Sequence, residues 1–144
     1  MHETFKDIKN TIAQNNNFID EIIEVYDLIF ILDDKFVVKY IAGKWLGKNS
    51  VPANLFLGFE FSSINNLYHT ENLNLLANKA VSDKNVVFEW NITYQDVSAY
   101  FETALLRFNN YKNNTFTLLG LCKNITKIKE LKEQNEIATY HLRE

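Results

Sequence analysis

Cysteine, proline and glycine are all scarce: one, one and four in 144 residues. The single cysteine, Cys122, excludes an internal disulfide and a cysteine-built zinc site within one chain. It accords with a reducing, cytoplasmic setting. With so little proline and glycine, turns fall to asparagine and aspartate, whose side chains bond locally to the backbone. No apolar run approaches the ~18–20 residues that cross a bilayer, so no membrane span is expected. The start, MHETFKDIKN, carries an early acid and no apolar segment, so no secretory leader is expected. A net charge of -3 offers no electrostatic footprint for nucleic acid. Three Asn-X-Thr triplets, at Asn91, Asn113 and Asn124, are read as chance matches in an asparagine-rich chain.

Catalytic constellations are absent too. No carboxylate pair, Ser-His-Asp set or HExxH helix is visible, so no catalytic residues and no enzyme activity are expected. GKWLGKNS has the look of a phosphate loop, but Ala42 replaces the first glycine and Asn49 the magnesium-binding hydroxyl. Asp33 and Asp34 suit a turn better than acid–base chemistry. His2, His69 and His141 are too dispersed to make a metal site.

What is present is apolar and aromatic: 47% hydrophobic and 14% aromatic residues, enough for a packed core and against disorder. Phe5, Ile8 and Ile12 share a helical face in Thr4–Ala13. Asn17 then suits an N-cap, with Asp20 and Glu21 in the first turn of a helix through Ile19, Ile22, Ile23 and Tyr26. LIFIL (Leu28–Leu32) and FVVKYI (Phe36–Ile41), joined by Asp33-Asp34-Lys35, predict a β-hairpin. Residues 42–85 lack strand pattern. Helical turns are expected near Trp45 and Leu55, and a helix from His69 to Val81 with Leu73, Leu76, Ala77 and Ala80 on its buried face. Three strands follow: Val86–Tyr94, which alternates cleanly, Val97–Phe108 and Thr115–Asn124. Thr126 is expected to cap a charged terminal helix, whose Ile128, Leu131, Asn135, Ala138 and Leu142 occupy heptad a and d positions. This order predicts an α+β layer structure: one antiparallel sheet with helices on one face.

LIFILDDKFVVKYIAGKWLG, NLFLGFEFSSI, YFETALLRFNN and TFTLLGLCKNIT, followed by the charged NITKIKELKEQNE, together resemble the PAS family over about Asp20–Glu136. Asn124 stands where the family's exit motif usually has aspartate. Profilin-like folds are the structural competitor. The resemblance implies a PAS-like five-stranded antiparallel sheet with helices on one face, plus flanking N- and C-terminal helices. It divides the chain into a flanking helix (1–17), a sensor domain (18–125) and a signalling helix or coiled-coil linker (126–144). It implies sensing rather than catalysis, with output through the terminal helix to a domain such as a histidine kinase of a two-component system.

On that fold, Phe30, Leu32, Trp45, Phe56, Leu76, Phe88, Trp90, Leu119 and Leu121 either line a ligand pocket between sheet and helices or simply fill it. Trp90 stands out because its indole N–H needs a partner, and a ligand is one candidate. The family includes haem sensors ligated by a histidine on the main helix, which places His69 as the only candidate. Its polar surroundings, Tyr68 and Thr70, favour a solvated or capping role. The family's flavin photochemistry needs a cysteine on a central short helix, and Cys122 is in the last strand. No cofactor is therefore evident, and its identity, if any, stays open. IATYHLRE weakly resembles a phosphoacceptor segment of sensor kinases, but Tyr140 falls at the acceptor place, so His141 is not assigned that role. The expected partners are a second copy of the chain, an output domain and a small-molecule ligand. A ligand-free dimerisation scaffold is the alternative function, and a haem-based gas or redox sensor a more remote one.

Overall fold

A computed structural model describes residues 18–64, 67–69, 73–83, 85–110, 112 and 114–143. The expected helix within 1–17, with Phe5, Ile8 and Ile12, lies outside the described residues, as does Asn17. We number the elements α1 (Phe18–Val25), β1 (Leu28–Leu32), β2 (Val38–Ala42), α2 (Lys44–Lys48), β3 (Leu67–His69), α3 (Leu73–Asp83), β4 (Asn85–Tyr94), β5 (Val97–Asn110), β6 (Thr115–Asn124) and α4 (Thr126–Arg143). Two 3₁₀ turns, Ala53–Leu55 and Phe61–Ser63, lie between α2 and β3.

The strands form one antiparallel sheet in the order β2-β1-β6-β5-β4-β3. The five expected strands are β1, β2, β4, β5 and β6. A short sixth strand, β3, extends the edge by pairing Leu67–His69 with Ile92–Trp90. That strand corrects the expected helix start: His69 pairs with Trp90 in the sheet, and the helix begins at Leu73.

The first hairpin is built by its turn. Asp33 Oδ1 accepts from the backbone N–H groups of Lys35 (2.8 Å) and Val37 (3.0 Å), as turn aspartates do. Phe36 takes a left-handed φ of 65°, so β2 starts at Val38 rather than at Phe36. The outer edge of β2 is covered by the following loop: Val38 N–H donates to Phe59 O (2.9 Å) and Gly58 N–H to Val38 O (2.9 Å). Covering an edge removes a template for unwanted strand pairing. After β2 the chain doubles back against β1, and Gly43 makes this possible. Its φ is 148°, and a Cβ there would sit 2.4 Å from Asp27 O. Trp45 N–H then donates to the same Asp27 carbonyl (3.1 Å), seating α2.

Strand alternation sorts the sheet's two faces. Leu28, Phe30 and Leu32 of β1, Leu118 and Cys122 of β6, Phe101 and Leu105 of β5, and Phe88, Trp90 and Ile92 of β4 face the helices and share one core. Trp45 of α2, Phe56 and Phe61 of the turns, and Leu76 and Ala80 of α3 close that core from the other side. Arg107 donates through Nη1 to Val81 O near the end of α3, satisfying a carbonyl that the helix leaves open. No helix among the described residues is long and apolar enough to cross a membrane.

Candidate functional site in the aromatic interior and at the exit junction

Seven of the nine expected pocket residues meet in one place. Phe30, Leu32, Trp45, Phe56, Leu76, Phe88 and Trp90 are all buried in the core between sheet and helices. Leu119 and Leu121 are not there. Gly120 faces Phe30, so its two neighbours in β6 point to the opposite face of the sheet. There Leu119 and Leu121 pair across from Ile31 and Ile29. The cause is the run TLLGLC, apolar on both faces, in which alternation gives no parity.

Two residues not singled out from sequence hold the interior together. Phe61 stacks on Phe30 (centroids 4.7 Å apart) and meets Trp90 edge-on (5.2 Å). Phe101 lies against Trp90 (4.9 Å) and meets Trp45 edge-on (5.1 Å). The result is a continuous chain, Phe30–Phe61–Trp90–Phe101–Trp45, running from β1 to α2. Each such pair adds about 0.5–1.5 kcal/mol beyond area burial. Phe101 was legible as one of the alternate apolar residues of its strand. Phe61 had no periodic signal, since it sits in a single 3₁₀ turn.

The Trp90 indole finds its partner within the chain. Nε1–H donates to Thr103 Oγ1 (2.7 Å), and the Thr103 hydroxyl donates to Cys122 Sγ (3.0 Å). All three residues are buried, so this short relay satisfies the polar atoms of the floor. Burial pushes the Cys122 thiol well above its ordinary pKa of 9.0; the Thr103 hydrogen bond pulls the other way, and the Asp27 charge adds to the rise. A thiol held protonated is a small apolar group, not a nucleophile. Among the described residues no three His, Cys, Asp or Glu side chains gather as a metal site requires. His69, which a haem ligand on the main helix would need, is in an edge strand instead.

The second feature is the junction where the chain leaves the sheet. Asp27, just before β1, is its hub. Asp27 N–H donates to Cys122 O (3.0 Å), and its Oδ2 accepts from Asn124 N–H (2.7 Å). Its Oδ1 pairs with Lys44 Nζ (3.7 Å). Asn124 Oδ1 in turn accepts from Thr126 N–H (3.0 Å) and from the Thr126 hydroxyl (2.6 Å). The Thr126 Oγ1 accepts from Tyr100 N–H (2.9 Å), and Ile125 N–H donates to Tyr100 O (2.8 Å). Thr126 was expected to cap α4. Here the Asn124 side chain does so, and Thr126 ties the first turn to β5. Asn124 thus still anchors the exit, with its amide oxygen in place of a carboxylate.

Along α4, one face meets the sheet and another does not. Lys129 Nζ lies 3.0 Å from Glu89 Oε2 and 5.0 Å from the Tyr100 ring centroid. Ile128 and Leu131 remain 55% and 49% exposed, and Asn135 is exposed with them. The side chains of Ala138 and Leu142, further along the same seam, lie outside those described.

No protein-family model matches the sequence, and no curated protein matches it. Solved structures do. The PAS domain of an HTR-like protein from Haloarcula marismortui is similar with a TM-score of 0.59 at 16% identity, over 87% of this chain and 100% of that one. The PAS domain of the fruit-fly ELK potassium channel gives 0.56 at 14%, over 81% and 96%. The light-state LOV domain of the blue-light photoreceptor Aureochrome1 gives 0.55 at 13%, over 80% and 96%. At such identities the likeness is one of fold, and it agrees with the strand order and the helix-covered face described above. The chain has the PAS fold.

Proposed function

We propose that this chain is a signal-sensing and protein-interaction module that relays a change at its body through α4 to an output domain. One observation carries this reading. The first turn of α4 is fastened to β5 and β1 through Asn124, Thr126 and Asp27, while Ile128 and Leu131 are left uncovered. A helix clamped at its root and apolar along a free seam suits a partner helix rather than its own domain. The seam is short, and about two heptads are marginal alone in water, so the PAS bodies or an output domain must hold the partners together. On this reading the chain is a homodimer in the cytoplasm, residues 18–125 are the sensor, and 126–144 form the signalling linker. Any catalysis, such as that of a histidine kinase, belongs to the output domain. A similar PAS domain comes from a two-component sensor histidine kinase (TM-score 0.53, 11% identity), which supports that setting.

A relay requires that its input bind two helix arrangements with different affinity. Paired spin labels on α4, one per chain, test it: inter-label distances change when the input is added, and distances fixed across a metabolite panel would remove the relay. A second reading, the dimerisation scaffold that binds nothing in its interior, is favoured by the continuous aromatic chain and by the internal partner of Trp90. Native mass spectrometry separates the two: a co-purified mass that survives desalting supports a ligand among Phe30, Leu32, Trp45, Phe56, Leu76, Phe88 and Trp90, and a bare dimer supports the scaffold.

A further inference from the structure

Beside the exit junction lies an open cleft of about 240 Å³, with Trp45 among its lining residues. Its walls come from four parts of the chain: Asp27 before β1, α2, the start of β5, and the turn into α4. Lys44 and Lys48 sit one helical turn apart on α2, so both reach the same side, and both line the cleft. Asn49, Ser98 and Thr126 add neutral polar walls, their side chains already bonded to Trp45 O, Thr93 Oγ1 and the Asn124–Tyr100 junction, and Trp45 and Val97 add an apolar wall.

The charge balance of this cleft is positive in a chain whose net charge is negative. Asp27 is the one acid on its walls, and its carboxylate is already engaged by Lys44 and by Asn124 N–H. Lys48 has no acidic partner among the described residues. The first turn of α4, which borders the cleft through Thr126, adds no acid. The volume is below the roughly 300–1,000 Å³ of drug-sized sites, which restricts the ligand to a small metabolite.

We propose that this cleft binds a small organic anion, its carboxylate or phosphate head held by Lys44 and Lys48 and its apolar body against Trp45 and Val97. The cleft shares Trp45 with the aromatic interior but opens outside it, and the proposal does not depend on the relay described above. The charge-assisted contacts supply the orientation, and the half-apolar wall discriminates among anions.

The test is a titration of the ¹⁵N-labelled full chain with benzoate, acetate and inorganic phosphate, at ionic strength held constant with chloride. Saturable shifts are expected at the amides of Lys48, Asn49, Ser98 and Thr126, with benzoate saturating before acetate. Lys48→Gln, which removes no ion pair among the described residues, is expected to weaken benzoate binding about tenfold. Shifts that stay linear to about 50 mM in all three anions, or that survive unchanged in Lys44→Gln/Lys48→Gln, would overturn the proposal. Spectra of each variant that overlay the parent outside the cleft exclude unfolding as the cause.

Discussion

The ring of Phe30 lies so close to Gly120 that a Cβ at position 120 would fall 2.3 Å from the ring's Cζ. Phe30 is itself fully buried and stacked on Phe61, so the ring has nowhere to retreat. Glycine at the centre of β6 is therefore a packing requirement, as expected where a strand is approached closely.

Gly120→Ala should destabilise the domain. Overpacking a tight core costs about 1–3 kcal/mol, partly offset by about 0.4–1 kcal/mol from the stiffer unfolded chain. A net loss of about 1–2 kcal/mol in urea unfolding is expected, with the m-value unchanged. A stability equal to the parent's would show that the Phe30 ring is free to shift and that the interior has room to spare.

How much of this was legible beforehand varies by element, and for physical reasons. Val86–Tyr94 alternates, so its inward Phe88, Trp90 and Ile92 and its outward Val87 and Glu89 could be assigned from sequence alone. Thr115–Asn124 had correct ends but no parity, because apolar residues fill both of its faces. Gly120 was the missing marker: the face that admits no side chain is the one a bulky ring covers, which would have put Leu119 and Leu121 outside. His69 was drawn into the helix by its nearness to the Leu73–Ala80 periodicity, since three residues of edge strand are too few to show a period of two. Thr126 rather than Asn124 was read as the cap because both residue types cap helices, and only the position of Tyr100 decides between them.

The buried thiol gives a pH dependence with a definite sign. In the unfolded chain Cys122 ionises around its ordinary value of 9.0, whereas in the folded core it stays protonated to higher pH. Above that value the unfolded state binds fewer protons than the folded state, so stability falls as pH rises. Below it the contribution is fully present. The loss approaches about 1.4 kcal/mol per pH unit well above the unfolded pKa. Urea unfolding from about pH 7 to about pH 10 should fall more steeply for the parent than for Cys122→Ala. Parallel curves would mean that the thiol reaches solvent.

Thr126 fastens the exit helix, and Thr126→Val keeps its shape while removing the acceptor of Tyr100 N–H. The site is near the surface, so water can replace part of the bond, and a loss of about 0.5–1.5 kcal/mol is expected. The informative readout is local. Hydrogen exchange should quicken at Tyr100 and across the first turn of α4 while Trp90 and Phe101 stay protected. Unchanged protection at Tyr100 would show that the strand is held there by something other than the threonine.

The seam of α4 supplies the last prediction. Ile128 and Leu131 are about half exposed, so a charge at either position keeps its contact with water. Leu131→Asp should leave the unfolding free energy of the body within about 0.5 kcal/mol. Between two copies, the same carboxylate would sit at a d position facing its twin, where burial of unpaired charge is costly. Sedimentation should therefore show the dimer weakened by at least about tenfold, with the near-ultraviolet signature of the aromatic interior unaltered. Asn135→Leu acts in the opposite sense: it adds apolar contact at an a position but removes the polar residue that favours two strands, so species larger than a dimer should appear. A Leu131→Asp protein that dimerises as well as the parent would place the interface elsewhere, with the apolar residues on the outward side of β5, Tyr100, Leu106 and Phe108, as the next surface to alter.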